Sequence, residues 1–413
     1  MPPCSMARRP VLAIIQAGGA GSRMDVLTGE RAKPALPFAG TYQLVDFPLS
    51  NLTNSGITDV WLSVQYHGST LEQEVANGRP WDLDRNRGGL RLLMPQEGTG
   101  STDEEGFARG NADELYRLRD QVRAFGPDAL LVMSADHVYR FDYGEALATY
   151  DASGADCVVV TSQRPLDEAG DHACVEVDDG CRVTGFWYKP DDPPGTTVAA
   201  EIMVYRPEVL VAVLEDLHRE LAAEAPQGDT GLGDFGEHLL PRLVARHHVV
   251  AHPLEGYWRD VGEPHKYLAA HHDLLTDDVG IFDDPAWPIL TRHPQRVPAR
   301  VLAGGEVVDS LLSPGCRVTG RVERSVLGPG VVVAKGAVVR DSVLFADTVV
   351  EAGAMVDHAV VDERCRVEAG AAVGEPGRPE EPDAVTVIGR DSLVVAGASL
   401  ARGSRLEPGS TAD

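Results

Sequence analysis

Glycines 18, 19 and 21 follow a short apolar run, residues 11–15, and two cations, Arg23 and Lys33, stand just beyond them. Small residues after a buried strand let backbone N–H groups converge on a phosphate chain, in a concave nest that a Cβ would obstruct. The spacing is neither the Walker pattern nor G-x-G-x-x-G, and a glycine-rich turn after a strand is by itself more often just a tight turn. The cations add the chemistry. A guanidinium forks onto two phosphate oxygens, and Lys33, which precedes Pro34, is expected in an extended backbone. Two cations flanking a nest suit a triphosphate. Further along, Asp136 follows a second apolar run, 129–133, at the kind of strand end where open α/β sheets place ligands.

These residues need a sheet to position them, and the chain supplies its pattern. From residue 10 to about 275, β-branched runs at 11–15, 60–64, 129–133 and 157–161 alternate with helical patterns over 111–125 and 143–152. That alternation predicts an α/β domain with a largely parallel sheet. The run at 11–15 is too short for a signal-peptide core or a membrane span and reads as a central strand. At 413 residues the chain exceeds the usual single domain.

After a proline-rich linker, 276–300, the texture changes. Apolar residues recur every six positions at Val326, Val332, Val338, Leu344, Val350 and Val356, shadowed by Val343, Val349, Met355, Val361, Val367 and Val373. A period of six with small residues between predicts a parallel β-helix over 301–413, its repeated position pointing inward. A β-sandwich would alternate at two. The stretch after Gly374 is expected to form a loop before a last strand near 385–388.

The net charge of −26, from 37 basic and 63 acidic residues, argues against a nucleic-acid or membrane-surface partner. Six cysteines without framework spacing fit free, buried thiols in a reducing cytoplasm.

The stretch "AGGAGSRMDVLTGERAKPALPFAG" resembles GGxGxRLxxLTxxRAKPAxPFGG, the signature of sugar-1-phosphate nucleotidyltransferases, and within them of the glucose-1-phosphate adenylyltransferase type. The resemblance continues in order through "LVDFPLSNLTNSGI", "VQYHGSTL", "ARGNADELYRL", "SADHVYRFDY", "YKP", "GDFGEHLLPRLV" and "YWRDVGEPHKYLAAHHDLL". It implies a Rossmann-like catalytic domain over 10–275, then a left-handed β-helix of hexapeptide repeats. It also implies a reaction in which a ring 1-phosphate attacks the α-phosphorus of an NTP, ATP or GTP, and expels pyrophosphate. The nucleophile is already an anion, so catalysis rests on positioning and charge stabilisation. By the resemblance, Arg23, Lys33 and Asp136 are catalytic, and Asp136 with Asp260 holds Mg²⁺, an ion that keeps waters and takes phosphate oxygens. Lys189 binds the sugar phosphate. Gln16, Gly18, Gly19, Gly21, Gln65, Gln96, Gly110, Asn111 and Asp113 surround the nucleotide. A homo-oligomer, such as a tetramer, is expected, with the β-helix as assembly and regulatory module.

Departures from the signature fall in the sugar pocket. Glucose-using members read "AFG", "EKP" and "SMG" where this chain has "HACVEV", "WYKP" and "AAEIMVY". Cys174 replaces a glycine, Tyr188 a glutamate and Ala199 a serine, with Ala200 and Glu201 where Met-Gly is expected. A site built to hydrogen-bond hydroxyls discriminates by something like 10⁴-fold when its partners are unpaired. Tyr188 offers a flat, mostly apolar face instead. The changes point to a modified acceptor: a deoxy or amino sugar, or a carbocycle such as valienol 1-phosphate of aminocyclitol pathways. Glucose 1-phosphate with ATP is the alternative. Gln16 and Asn111 stand where Leu and Thr are usual near the base, and an amide both donates and accepts, so guanine stands beside adenine. A non-catalytic regulatory subunit would be expected to lose phosphate or metal ligands, which this chain keeps. Acyl transfer in the β-helix would need a coil-edge histidine. His358 is the one candidate there, and it is expected on the surface.

Overall fold

The computed structural model describes residues 10–19, 21–95, 107–222, 225, 229–275, 279–377 and 381–413. Nine strands form one sheet: β1 (Val11–Ala17), β2 (Asp59–Val64), β3 (Gly89–Leu93), β4 (Ala129–Ser134), β5 (Cys157–Gln163), β6 (Ala173–Val177), β7 (Val183–Tyr188), β8 (Thr197–Tyr205) and β9 (Val249–Pro253). Their order is β7-β6-β8-β4-β1-β2-β3, with β5 on β8 and β9 on β5. Leu12, Ala13, Ile14 and Ile15 are fully buried, Ala13 and Ile15 in the core on one face and Leu12 and Ile14 on the other. Burial on both faces is what an unbroken apolar run in a central parallel strand requires.

The sheet is mixed. Strands β3, β2, β1 and β4 are parallel, as are β5 and β9, whereas β8 runs antiparallel to β4, β5 and β6, and β6 pairs antiparallel with β7. A parallel crossover needs about a dozen residues or more, usually a helix. Between β6 and β7 lie only residues 178–182, so the chain must fold back as a hairpin. The expected helices are present as Asn111–Phe125 and Tyr143–Ser153.

The second half is a parallel β-helix whose short strands stack into three sheets. Val326 pairs with Val343 and Val343 with Val360, while Val333 pairs with Val350 and Val350 with Val367. A coil here is thus 17 residues, and the strict period of six needs correcting. One series of fully buried positions is Val322, Leu327, Val333, Val339, Leu344, Val350, Val356, Val361, Val367 and Val373, stepping five, six and six. Val332 and Val338 are half-buried, and Met355 is exposed. Loop residues 374–377 and 381–385 carry no strand, as expected, but the strand that follows, Thr386–Ile388, is not the last, since coils continue to Thr411–Ala412. That loop explains His358, which is fully buried rather than on the surface: a Cβ on Gly377 would sit 2.9 Å from its ring. Cys157, Cys174, Cys316 and Cys365 are buried free thiols, but Cys181 is exposed.

The two halves share a core in which Phe38, Phe47 and Tyr267 meet Val343, Phe345 and Val387. Arg31, nearly buried, pairs with Asp362 at 3.0 Å and Glu363 at 3.1 Å. The connecting segment is strapped down: Trp287 Nε1 donates to Asn51 Oδ1, and Leu290 N donates to Ser50 Oγ. No described helix is long and apolar enough to cross a membrane.

Candidate active site

The C-terminal ends of β1 and β4 open onto a cavity of about 500 Å³. Each glycine after β1 has its own reason. A Cβ on Gly18 would fall 2.4 Å from Gln65 Nε2, whereas one on Gly19 would meet nothing within 4 Å, and both residues line the cavity. Gly21 does not line it. Its φ of 70° turns the chain into the 3-10 helix Ser22–Thr28, and its carbonyl accepts from Thr28 Oγ1 at 2.8 Å. Arg23 stands at the cavity with its side chain 58% exposed, 3.9 Å from Glu263. Lys33 is buried and ion-paired with Asp136. Its backbone opens a 3-10 turn, Lys33–Ala35, instead of the extended form expected before proline, and its carbonyl accepts from Leu36 N at 3.0 Å.

Asp136 lies two residues beyond β4, where Ser134 Oγ donates to it. A two-stranded ribbon, His137–Tyr139 with Trp258–Asp260, sets Asp260 opposite His137. The His137 Nε2 lies 3.6 Å from Asp136 and 3.9 Å from Asp260, with the ring edge-on to Trp258. Burial opposes ionisation of Asp136, but Lys33 and His137 outweigh it and hold the carboxyl well below the usual range. Asp260 is held down by the same two groups against the same burial penalty. Burial would lower Lys33, yet Asp136 and Asp260 raise it, so it stays charged. Burial also drives His172 down to about 4 against the pull of Asp260, which keeps it neutral at pH 7.

On the nucleotide side, Gln16 Nε2 donates to the Asn111 carbonyl and to Glu114 Oε2, both at 2.8 Å. Gln65 Oε1 accepts from Ala108 N at 2.8 Å, tying the end of β2 to the segment before helix Asn111–Phe125. A Cβ on Gly110 would lie 2.3 Å from the Gly233 backbone. Asn111 lines the cavity, but its side chain accepts from Phe235 N and so holds the 233–235 turn. Asp113 is off the cavity: fully buried, it accepts from Arg109 N, Arg117 Nε and Thr230 Oγ1. Its place in the motif reflects loop anchoring. Gln96 lies outside the described residues.

At the other end, Lys189 and Tyr188 line the cavity. Tyr188 OH donates to Asp234 Oδ2 at 3.0 Å, and its ring packs so closely on Gly236 that a Cβ there would lie 2.0 Å away. Cys174 and Ala199 do not reach the cavity. Cys174 is fully buried with its thiol directed to the Ala169 carbonyl, and Ala199 is 1% exposed in the opposite core. Sequence reasoning gave no site role to Glu201, His137 or Asp234, all of which line the cavity. The signals were present: an acidic residue at an expected glycine, a histidine beside Asp136, and an aspartate inside "GDFGEHLLPRLV". The oxygens of Asp136, Asp260 and Glu201 suit a hard divalent cation. Donor atoms of Asp136, His137 and Glu201 lie within 4.8 Å of one another.

Comparison with known proteins agrees with this geometry. The family described as Nucleotidyl transferase matches residues 12–277, and the GlmU-like, C-terminal hexapeptide family matches residues 296–395. A glucose-1-phosphate adenylyltransferase of Clostridium perfringens is 33% identical over 341 residues, covering 82% of this chain and 85% of that protein. One from Thermosipho africanus is 36% identical over 333 residues, covering 80% and 78%. One from Clostridium acetobutylicum is 33% identical over 337 residues, covering 81% and 86%. With a glycine loop, a buried lysine–carboxylate pair and a distal lysine around one cavity, followed by a hexapeptide β-helix, this chain belongs to the nucleotidyl transferase family.

Proposed function

We propose that the protein joins a nucleoside triphosphate, ATP or GTP, to a sugar-like 1-phosphate with release of pyrophosphate, and that Asp136 and Asp260 hold the Mg²⁺ this requires. The observation that carries the reading is one cavity lined by two lysines, Lys33 beside the carboxylates of Asp136 and Asp260, and Lys189 beside Tyr188. A phosphate oxygen of the ring 1-phosphate attacks the α-phosphorus, the bond to the β-phosphate breaks, and pyrophosphate leaves with the electron pair. The attacking oxygen carries its own negative charge, so no general base is needed. Gly18 and Gly19 leave room for the phosphate chain, Arg23 covers it from the cavity mouth, and Lys33 neutralises charge in a buried, preorganised position. Bound Mg²⁺ supplies charge neutralisation at the phosphates. Lys189 binds the acceptor phosphate, and the nearby face of Tyr188 meets the ring.

For the acceptor, the reading favoured is a ring other than plain glucose, such as a deoxy or amino sugar or a carbocycle of the valienol type. Tyr188 supports it, because its hydroxyl is already donated to Asp234 and its remaining surface is a flat apolar face. The relatives named glucose-1-phosphate adenylyltransferase favour the second reading, glucose 1-phosphate with ATP. The test is kcat/KM across glucose, deoxyglucose, glucosamine and carbocyclic 1-phosphates with ATP and with GTP. A modified ring is expected to lead. Glucose 1-phosphate with ATP as the best pair would leave the second reading standing.

A further inference from the structure

The acceptor end of the cavity carries a carboxylate that the mechanism above does not use. Glu201 sits in β8 at a φ of 55°, in the left-handed region where a residue with a Cβ is disfavoured. It lies within a bulge: Ala199 pairs with Thr161 and Met203 with Val159, so three residues face the single Val160. Ala200 and Ile202 on either side are buried, while the Glu201 side chain is 31% exposed and lines the cavity. Packing alone would be met by glycine. The bulge turns this side chain to the cavity while its neighbours stay buried.

What it is aimed at follows from the charges around it. Lys33 is paired with Asp136, whereas burial and the nearby Asp136 and Asp260 push the Glu201 carboxyl up, against the pull of His137 and Lys189. The His137 Nε2 lies 4.0 Å from Glu201 Oε2. At this end Tyr188 OH is already committed to Asp234, and Glu237 adds another acceptor. The carboxylates among these groups, Glu201, Asp234 and Glu237, accept hydrogen bonds rather than offer them.

We propose that Glu201 is the residue that reads the acceptor ring. Its carboxylate accepts hydrogen bonds from hydroxyl or ammonium donors on the ring whose phosphate Lys189 holds, and so determines which ring is used. The inference rests on the nucleotidyl transfer reading of the same cavity.

The test uses the full chain with Glu201→Gly, which suits the backbone, and Glu201→Ala, which keeps the Cβ and removes the carboxylate. Pyrophosphate release is measured with glucose 1-phosphate, glucosamine 1-phosphate and a carbocyclic 1-phosphate, varying ring, NTP and Mg²⁺ separately. Both variants are expected to lose about tenfold to a hundredfold in kcat/KM for the preferred ring, the scale of a charge-assisted hydrogen bond, while the KM for NTP and the Mg²⁺ requirement hold. A larger loss with glucosamine 1-phosphate identifies an ammonium donor, and a larger loss with glucose 1-phosphate a hydroxyl. Unchanged ring kinetics in either folded variant would overturn the proposal, as would a loss recovered by raising Mg²⁺, which would make Glu201 a metal ligand. A wild-type protein inactive with every pair would remove the transfer reading and this inference together, whereas wild-type turnover with unaffected variants removes the inference alone.

Discussion

The two ends of the cavity are built differently. At the phosphate end the groups stand on or just beyond the central parallel strands β1 and β4 and on the ribbon beside them, and Lys33 is paired with Asp136. At the ring end they stand on β7 and β8 or directly beyond β7, in the antiparallel part of the sheet, with Lys189 at φ 46° and Glu201 at φ 55°. Under the proposed function, the phosphates meet carboxylates at the end of a central strand and on the ribbon, with the cations Arg23 and Lys33 on short 3-10 segments, while the ring meets residues at two left-handed backbone positions. A side chain at such an irregularity can change without disturbing the sheet.

If the two ends divide the work this way, their variants must fail differently. Asp136→Asn is expected to have the largest effect, lowering kcat on the order of 10²- to 10³-fold, as when a preorganised charge-stabilising group is removed. Steady-state kinetics check it, and a loss below tenfold would erase the distinction. Lys189→Ala should raise the KM for the ring 1-phosphate by about tenfold to a hundredfold and leave that for NTP in place. A shift in NTP binding instead would move Lys189 to the other end.

Smaller effects sharpen the contrast. Tyr188→Phe removes a hydroxyl already spent on Asp234, so kcat/KM for the ring should change by about fivefold or less. Cys174→Gly and Ala199→Ser should leave ring preference alone, because neither residue reaches the cavity. Any recovery of glucose use by the triple variant Tyr188→Glu, Cys174→Gly, Ala199→Ser should then come from Tyr188→Glu.

Buried carboxylates away from Lys33 supply a pH contrast. Burial pushes Asp46 up to about 8 and Glu114 up to about 7, from ordinary values of 3.8 and 4.5. The folded state therefore holds protons that the unfolded chain has lost, and these two groups destabilise the fold as pH rises from about 4 to about 8. Asp136 and Asp260, held low, act in the opposite sense and lose their stabilising contribution as pH falls through their folded pKa values. Urea unfolding across that range should show Asp46→Asn flattening the decline toward pH 8. An unchanged slope would contradict the shift.

Much of this was legible in the residues. The apolar run before the glycines announced a central strand, Asp136 a strand end, and the valine recurrence a β-helix. The misreadings have physical causes. A six-residue period cannot reveal that each third step is five, because that depends on how the three faces close. Cys174 and Ala199 lie in the motifs of the ring pocket, yet alternate strand positions face opposite sides, and both point into cores. Asp113 carries a motif position by anchoring a loop. Glu201 stood out as a departure from the signature, but its place on the cavity was not legible because a bulge with two extra residues has no sequence period.

The most direct test is the dependence of product on both substrates. With Mg²⁺, NTP and a ring 1-phosphate, the purified protein should release one pyrophosphate for each nucleoside diphosphate–ring product formed, followed together by phosphorus NMR, and none when the ring 1-phosphate is left out. Pyrophosphate released at the same rate without the ring 1-phosphate, leaving nucleoside monophosphate, would contradict the account.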